Sequence, residues 1–126
     1  MSKKNSSVNL KNGFKDYKNL SNIFVNFRNK LDSLNKKSYA VAVSGGPDSL
    51  ALVALTKFYK LYKKTKFKYI LVDHNIRKNS HQEAKKVKNL HKKKNISLKI
   101  LVNKKKIIKN MQAEARIARY NIISNY

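Results

Sequence analysis

The feature that most constrains the fold of this chain is a glycine-rich hexapeptide between two apolar runs. Ser44–Ser49 reads Ser-Gly-Gly-Pro-Asp-Ser, follows the apolar run Tyr39–Val43 and precedes the helix-forming run Leu50–Leu55. Such a sequence favours a strand, a tight turn and a helix start. Adjacent glycines let several backbone N–H groups converge, and the positive end of the following helix attracts an anion. The hexapeptide therefore predicts a phosphate-binding turn.

The spacing of this turn excludes two common nucleotide-binding motifs. The Gly-x-x-x-x-Gly-Lys-[Ser/Thr] sequence of the P-loop is absent. Gly45 and Gly46 are adjacent and no third glycine follows at helix-packing distance, so the dinucleotide fingerprint fails as well. A plain Gly-Gly connection from strand to helix is the alternative. We favour ligand binding because Ser44, Asp48 and Ser49 add hydroxyl and carboxylate groups that a plain connection does not require.

Alternation of apolar runs with amphipathic segments predicts an α/β fold, a parallel sheet with helices on both faces. The predicted strands are Ser38–Val43, Phe67–Val72 and Ile96–Val102. The predicted helices cover about 20–34 and 48–62, a stretch opened by a Ser80/Glu83 capping box, and a last stretch capped by Asn110. The helix over 48–62 is apolar nearly all round, which predicts that it is buried.

The domain organisation follows from the same pattern. We expect a polar N-terminal extension over residues 1–18 and an incomplete α/β domain over residues 19–126. About three strands are too few to cover four helices, so we expect a truncated chain. If the strand order is 3-2-1, the first strand lacks a neighbour on one side.

Charge points to a polyanionic partner. The chain has 30 Lys and Arg against 6 Asp and Glu, a formal net charge of +24. This excess favours nucleic acid through counterion release. Part of the lysine excess has a second explanation, since abundant Asn and Ile beside it are typical of an AT-rich coding sequence.

The absence of cysteine excludes a disulfide scaffold, a thiol nucleophile and a cysteine-bound metal. No apolar stretch is long enough to span a bilayer, and the N-terminus has no apolar signal core. We therefore expect a cytoplasmic protein with no membrane partner.

A second polar segment, Val72–Arg77, ends the second predicted strand. Ligands of open α/β sheets bind beyond the carboxyl ends of the strands, where the Ser44–Ser49 turn also lies. Asp73 is a candidate ligand for magnesium or a nucleotide hydroxyl, His74 for a base or phosphate, and Arg77 for a phosphate. Each of these residues alone is more typical of a turn or a solvated surface. Their position at the same sheet edge as the Ser44–Ser49 turn is what favours a role in ligand binding.

A third segment, Asn110–Tyr120, places Arg116, Arg119 and Tyr120 on one helical face. Two guanidinium groups beside a phenol suit a phosphate or a nucleobase. When this segment is taken alone, a solvent-facing basic stripe is the interpretation we prefer.

Together, these motifs resemble the N-terminal domain of bacterial tRNA(Ile)-lysidine synthetases, a family of pyrophosphatase-loop enzymes. The matching elements are Val-Ser-Gly-Gly-x-Asp-Ser, Val-Asp-His-x-[Ile/Leu]-Arg and Ala-Arg-x-x-Arg-Tyr, over about Leu20 to Tyr120. The resemblance implies an adenine nucleotide alpha hydrolase-like fold. It also implies ATP-dependent adenylation of the wobble cytidine of isoleucine tRNA (CAU anticodon), followed by attack of lysine to give lysidine.

The resemblance also implies roles for single residues. ATP would be bound by the turn and the second strand end, through Ser44, Gly45, Gly46, Pro47, Asp48, Ser49, Asp73, His74 and Arg77. Asp48 would also be catalytic and would hold Mg²⁺, and Arg116 would be the second catalytic residue, near the reacting centre.

The chain lacks the His-His-x-x-Asp-Asp-rich segment and the tRNA-gripping domains that follow in the family. We therefore expect the chain alone to bind ATP weakly and to make no lysidine, with the missing part supplied by a separate C-terminal chain or a homodimer partner. Three alternatives stay open: another pyrophosphatase-loop tRNA modifier such as a cytidine thiolase, a non-catalytic basic RNA-binding module, and a decayed gene product.

Overall fold

The computed structural model describes residues 18–105, 107 and 111–126. The chain divides into two compact units, one ending at Lys36 and one running from Lys37 to Tyr126. The first unit contains helix α1, Lys18–Leu34, in agreement with the periodic apolar positions of that segment. The second unit contains the sheet and every residue of the predicted site, so it is described in detail.

The sheet of the second unit has three parallel strands in the order β1-β2-β3. Strand β1 is Ser38–Ala42, β2 is Lys66–Asp73 and β3 is Leu98–Val102. Both pairings are parallel, as the alternation predicted. Among the described residues, β1 pairs only with β2, so its other edge is open. This is the order for which the sequence led us to expect a first strand without a neighbour on one side.

Each strand is followed by a helix. Helix α2 is Pro47–Tyr62, α3 is Ser80–Lys92 and α4 is Met111–Asn125. In α2, Val53, Thr56 and Tyr59 are buried at helical spacing, whereas Ala51 and Ala54 on the opposite face are exposed. The predicted burial of α2 on all sides is therefore wrong, because within the described chain only one face of the helix is covered.

The core joins all three strands to α2 and α3. Its buried members are Val41, Val43, Val53, Tyr69, Leu71, Ala84, Ile96 and Leu98. Burial of each larger apolar side chain contributes about 1.5–3 kcal/mol to the free energy of folding. A buried hydrogen bond of 2.8 Å between the Thr56 and Tyr69 hydroxyls ties α2 to the central strand. The core thereby fixes the strand ends from which the two polar segments emerge.

The predicted capping box at the start of α3 is wrong. Asn79 occupies the N-cap position, Ser80 is already helical, and no side chain caps this end. The Glu83 carboxylate instead accepts a hydrogen bond of 3.0 Å from the Arg77 guanidinium. The charge of Arg77 draws the carboxylate away from the backbone N–H groups that a capping box would use.

Strand β3 begins two residues later than predicted, at Leu98, although Ile96 is buried at 4% exposure. The predicted polar extension, as far as residue 17, and the predicted cap Asn110 lie outside the described residues. Within the described ranges, none of the helices combines the length and apolar character needed to cross a membrane.

Candidate nucleotide-binding site

The turn after β1 requires glycine at position 45 for two independent reasons. Gly45 has φ +89°, in the left-handed region that residues with a Cβ rarely adopt. A Cβ at this position would lie 2.7 Å from Val87 Cγ2 in α3, well inside contact distance. The turn is thus pressed against α3, and its backbone conformation is fixed by packing as well as by sequence.

The two serines of the hexapeptide hold the turn closed. The Ser44 N–H donates to Ser49 Oγ at 2.9 Å, and the Gly46 N–H donates to Ser44 Oγ at 3.4 Å. Ser49 is buried, with 8% exposure. The Ser49 side chain therefore organises the turn from inside, which leaves the backbone of the turn as the surface offered to a ligand.

The start of α2 presents unpaired backbone donors. Gly46 is the N-cap residue, Pro47 follows in the first turn, and no side chain caps the helix. The Leu50 N–H makes the first backbone bond, to the Gly46 carbonyl at 3.0 Å. The N–H groups of Asp48 and Ser49 precede that bond and point out of the helix start. Such donors, with the positive end of the helix dipole behind them, suit a phosphate.

The end of β2 holds a buried carboxylate. The side chain of Asp73 is 1% exposed, its Oδ1 accepts from the Asn75 N–H at 2.9 Å, and its Oδ2 contacts His81 Nδ1. Burial works to raise the pKa of Asp73, but the Asn75 N–H, the Ser80 hydroxyl and His81 together outweigh it and lower that pKa. Asp73 is therefore ionised at pH 7. Asn75, with φ +55°, bends the chain sharply after it.

His74 presents a buried ring nitrogen towards the same edge. Asn103 Nδ2 lies 3.4 Å from His74 Nδ1, a bond that makes Nδ1 the acceptor and puts the ring proton on Nε2. His74 Nε2 is buried and has no hydrogen-bond partner among the described residues. Burial, and then the charge of Arg119, lower the pKa of His74 against the opposing charge of Asp73. The imidazole is thus neutral at pH 7, and its Nε2 donor is unpaired among the described residues.

A cavity of about 260 Å³ lies between the turn, the end of β2 and α3. Four of the predicted binding residues line it: Ser44, Asp73, His74 and Arg77. Gly45, Gly46, Pro47, Asp48 and Ser49 form the adjoining turn and helix start. The structure therefore brings the first two predicted segments to one sheet edge. The backbone of the Ser44–Ser49 turn forms a cradle for an anion there, beside the cavity.

Of the two arginines of the third segment, Arg119 lines the cavity and Arg116 is not among its described lining residues. The Arg116 guanidinium lies over the Tyr120 ring, 5.7 Å from its centroid. Ala115 is the buried residue of α4, and Arg119 follows it by four positions, on the same helical face. The predicted catalytic role of Arg116 stays a prediction.

Val87 and Asn103 are also site residues that the sequence did not single out. Val87 packs on Gly45, and Asn103 holds the ring of His74. Asn103 is 4% exposed directly after β3, and a buried amide beyond a strand end is the signal that would have drawn attention to it.

The donor set fits magnesium only in company with a phosphate. Asp48 is exposed in the first turn of α2. Within the described residues, no group of three or more His, Cys, Asp or Glu side chains converges on a metal position. Mg²⁺ is commonly held by one or two carboxylates with the remaining ligands from phosphate and water. A single carboxylate beside a phosphate cradle matches that pattern.

Comparison with known proteins agrees with this geometry. Residues 16–126 match the PP-loop domain family. The chain is 37% identical over 112 residues to a tRNA(Ile)-lysidine synthase of Orientia tsutsugamushi, which covers 83% of this chain and 25% of the relative. It is 34% identical over 103 residues to a tRNA(Ile)-lysidine synthase of Rickettsia akari, which covers 79% of this chain and 24% of the relative.

The chain thus spans about a quarter of the length of these curated relatives. No solved structure matches it significantly. The family match covers nearly the whole chain, and the parallel α/β sheet carries the glycine turn at the edge where such a domain binds its nucleotide. This chain belongs to the family of ATP-binding PP-loop domains.

Proposed function

We propose that this chain is the ATP-binding part of a tRNA(Ile)-lysidine synthetase. The observation that carries the proposal is the Gly45 turn, whose positive φ and contact with Val87 set a backbone cradle beside the polar cavity. The relatives named above support the choice of reaction. ATP would supply the adenyl group that turns the C2 oxygen of the wobble cytidine into a leaving group for the lysine amine.

In this proposal, the turn binds the phosphates. The N–H groups of Asp48 and Ser49 would donate to phosphate oxygens, with Gly45 and Gly46 allowing close approach of the backbone. Pro47 stiffens the helix start without competing for the anion, because it has no N–H. The Asp48 carboxylate would hold Mg²⁺ on the phosphates, which reduces the charge that develops on the departing pyrophosphate.

The cavity would bind the nucleoside part of ATP. Ionised Asp73 can accept from a ribose hydroxyl, and neutral His74 can donate from Nε2 to an acceptor of the ligand. Arg77 and Arg119 lie at the rim as cations for phosphate. Arg116 is exposed on the outer side of α4, so its proposed role is to reach the incoming RNA base.

The substrates would be an isoleucine tRNA with a CAU anticodon and free lysine, and the reaction would take place in the cytoplasm. The tRNA-gripping parts and the lysine site would be provided by a C-terminal part or by a second copy of the chain. We expect the purified 126-residue chain to produce no lysidine, and detection of lysidine in that reaction would contradict this division of labour.

The test is a titration of the chain with ATP, with and without Mg²⁺, followed by two-dimensional NMR of the backbone amides. We expect weak binding with shifts at Ser44–Ser49 and 73–77. In Asp48→Asn, the strengthening by Mg²⁺ should disappear while Mg²⁺-free binding persists. Glu114→Gln, an exposed residue of α4, removes the same charge and should leave the Mg²⁺ effect intact.

No shift at Ser44–Ser49 at millimolar ATP would overturn the nucleotide site. If Asp48→Asn and Glu114→Gln lose the Mg²⁺ effect equally, Asp48 is not the Mg²⁺ ligand, and the phosphate-binding turn is unaffected by that result. The two outcomes separate the anion cradle from the metal ligand.

A second candidate function is a non-catalytic RNA-binding module, which the net charge of +24 favours. Such a module would bind tRNA with the same affinity whether or not ATP is present, and Asp48→Asn would leave tRNA binding unchanged. Another PP-loop tRNA modifier is less well supported, because those that thiolate cytidine typically use cysteines and this chain has none.

A further inference from the structure

A groove runs along the end of the sheet opposite the candidate nucleotide site. It consists of two adjoining cavities of about 540 Å³ and 400 Å³ that share Lys88, Ser97 and Leu98. The groove lies where α3 ends and β3 begins, beside residues 67–70 of β2. The nucleotide site is at the carboxyl ends of the strands, so the two depressions occupy opposite ends of one sheet.

The groove exists because β3 starts late along its neighbour. Pairing between the two strands begins with Tyr69 opposite Leu98. Within the described residues, positions 66–68 of β2 therefore have no strand partner on that side. Tyr69 and Leu98, at 7% and 2% exposure, close the bottom of the depression with apolar side chains.

Four lysines from three different elements line this groove. Lys68 comes from β2, Lys88 and Lys92 come from α3, and Lys99 comes from β3. All four are exposed, and none of them forms an ion pair within the described part of the chain. Lys99 Nζ lies 6.0 Å from the centroid of the Tyr126 ring, which is itself 63% exposed. The groove thus combines four uncompensated cations with one accessible aromatic ring.

Acidic residues are segregated from this end of the sheet. The unit from Lys37 to Tyr126 has four acidic residues. Asp48, Glu83 and Glu114 lie in the first turns of α2, α3 and α4, and Asp73 ends β2. Each helix follows a strand, so all four stand at or near the carboxyl end of the sheet. Within this unit, the acidic side chains therefore stand away from the lysines of the groove.

We propose that this groove binds the sugar-phosphate backbone of an RNA. A concave surface with cations on several sides suits a charged chain better than a flat lipid surface, and an exposed ring beside a lysine suits a base or ribose. Along β2, Phe67 of the groove and Asp73 of the candidate nucleotide site are six residue steps apart, roughly 20 Å. An RNA held in the groove is thus anchored away from the cavity. The identification of that RNA as a tRNA rests on the proposed function.

The test compares two double variants of α3 in binding to a fluorescein-labelled tRNA transcript at several salt concentrations. Lys88→Gln/Lys92→Gln alters the groove. Lys86→Gln/Lys93→Gln is the matched control, since it removes the same charge from two exposed residues, one on the opposite face of α3 and one at its C-cap. Helix content by circular dichroism checks both variants for folding.

We expect the groove variant to lose affinity by on the order of tenfold and to lower the slope of log affinity against log salt by about 2. The control should change the slope by less than about 1. Lys88→Arg/Lys92→Arg should retain the affinity of the wild type, because it keeps both charges. ATP-induced amide shifts at Ser44–Ser49 should be the same in every variant.

If the groove and control variants lose the same affinity for tRNA, the groove is not the RNA-binding site, and the chain binds RNA through its charge in general. Absence of tRNA binding by the wild-type chain would overturn the groove as well, whereas the ATP titration would still report on the nucleotide site. A lipid surface as the partner of the groove would give a different pair of results. The wild type, but not the groove variant, would co-sediment with phosphatidylserine vesicles, and both would bind tRNA equally well.

Discussion

The two ends of the sheet handle charge in opposite ways. At the carboxyl end, Asp73 and Ser49 are buried and accept hydrogen bonds of 2.9 Å from backbone N–H groups. At the amino end, Lys88 and Lys92 stand exposed around the groove, and neither forms an ion pair with another described residue. Ligand binding at a preorganised site depends on the exact positions of its groups, whereas the attraction of exposed lysines for an anion depends on ionic strength. Single substitutions should therefore act strongly at the first end, and salt should act strongly at the second.

The largest effect expected from a single substitution is that of Gly45→Ala. The left-handed φ and the 2.7 Å approach to Val87 together should lower the free energy of unfolding by about 2–4 kcal/mol. Urea denaturation measures this. Gly46→Ala is the control, because its Cβ would meet only Ser44 Oγ at 3.6 Å, and it should cost about 1 kcal/mol or less.

Adding Val87→Ala to Gly45→Ala sharpens this result. The smaller side chain should remove the clash and leave the cost of the backbone conformation, so the double variant should recover part of the loss after correction for Val87→Ala alone. A double variant with no recovery would show that the turn is not pressed on α3.

The next effect is that of Asp73→Asn, which should destabilise the fold by about 1–3 kcal/mol at pH 7, since an amide cannot accept from all the partners of the buried carboxylate. The pKa of Asp73 is lowered from 3.8 in the folded state. The stabilisation of the folded state by ionised Asp73 is therefore complete above pH 3.8 and is lost as the pH falls through the folded-state pKa. Unfolding of the wild type should therefore become easier over that acid range.

Asp73→Asn should flatten that part of the pH profile, and Asp48→Asn, at an exposed position, should leave it unchanged. The comparison requires only thermal or urea unfolding at a series of pH values. Identical acid profiles for wild type and Asp73→Asn would contradict the hydrogen-bonded carboxylate.

A smaller effect separates the two arginines of α4. Arg119 contributes to lowering the pKa of His74, so Arg119→Gln should raise that pKa towards its ordinary value of 6.5. Arg116→Gln should leave it unchanged, because the Arg116 guanidinium lies over Tyr120. NMR titration of the imidazole Hε1 signal gives the answer, and a response to Arg116→Gln alone would reverse the placement of the two side chains.

The smallest effect belongs to the ion pair of Arg77 and Glu83. Both side chains are largely exposed, at 74% and 49%, so solvent screens their attraction. Glu83→Gln should change the free energy of unfolding by less than about 0.5 kcal/mol. A loss above 1 kcal/mol in urea denaturation would mean that the pair also organises the start of α3.

Local patterns predicted most of the fold. Apolar runs and helical periodicity located the three parallel strands, and the glycine hexapeptide located the turn at the sheet edge. These features depend on neighbouring residues in the chain, which is why a single sequence contains them.

Contacts between distant segments were not predictable in the same way. His74 meets Asn103 across 29 positions, and Gly45 meets Val87 of α3, with α2 and β2 between them in the chain. The capping box failed for a different, local reason, since Arg77, six positions before Glu83, competes for its carboxylate once the turn between them has formed. Periodicity shows which face of α4 is apolar, but only the packed structure shows that Arg119 faces the cavity.

The open edge of β1 has a consequence for the behaviour of the chain in solution. Ser38–Ala42 contains no charged residue, and an uncharged exposed strand edge is a template for pairing with another molecule. At low ionic strength, a net charge of +24 keeps the molecules apart. At about 1 M salt the Debye length shrinks to roughly 3 Å, so this repulsion fades and sheet edges can meet. Colloidal stability of the isolated chain should therefore decline with added salt, the reverse of ordinary salting-in.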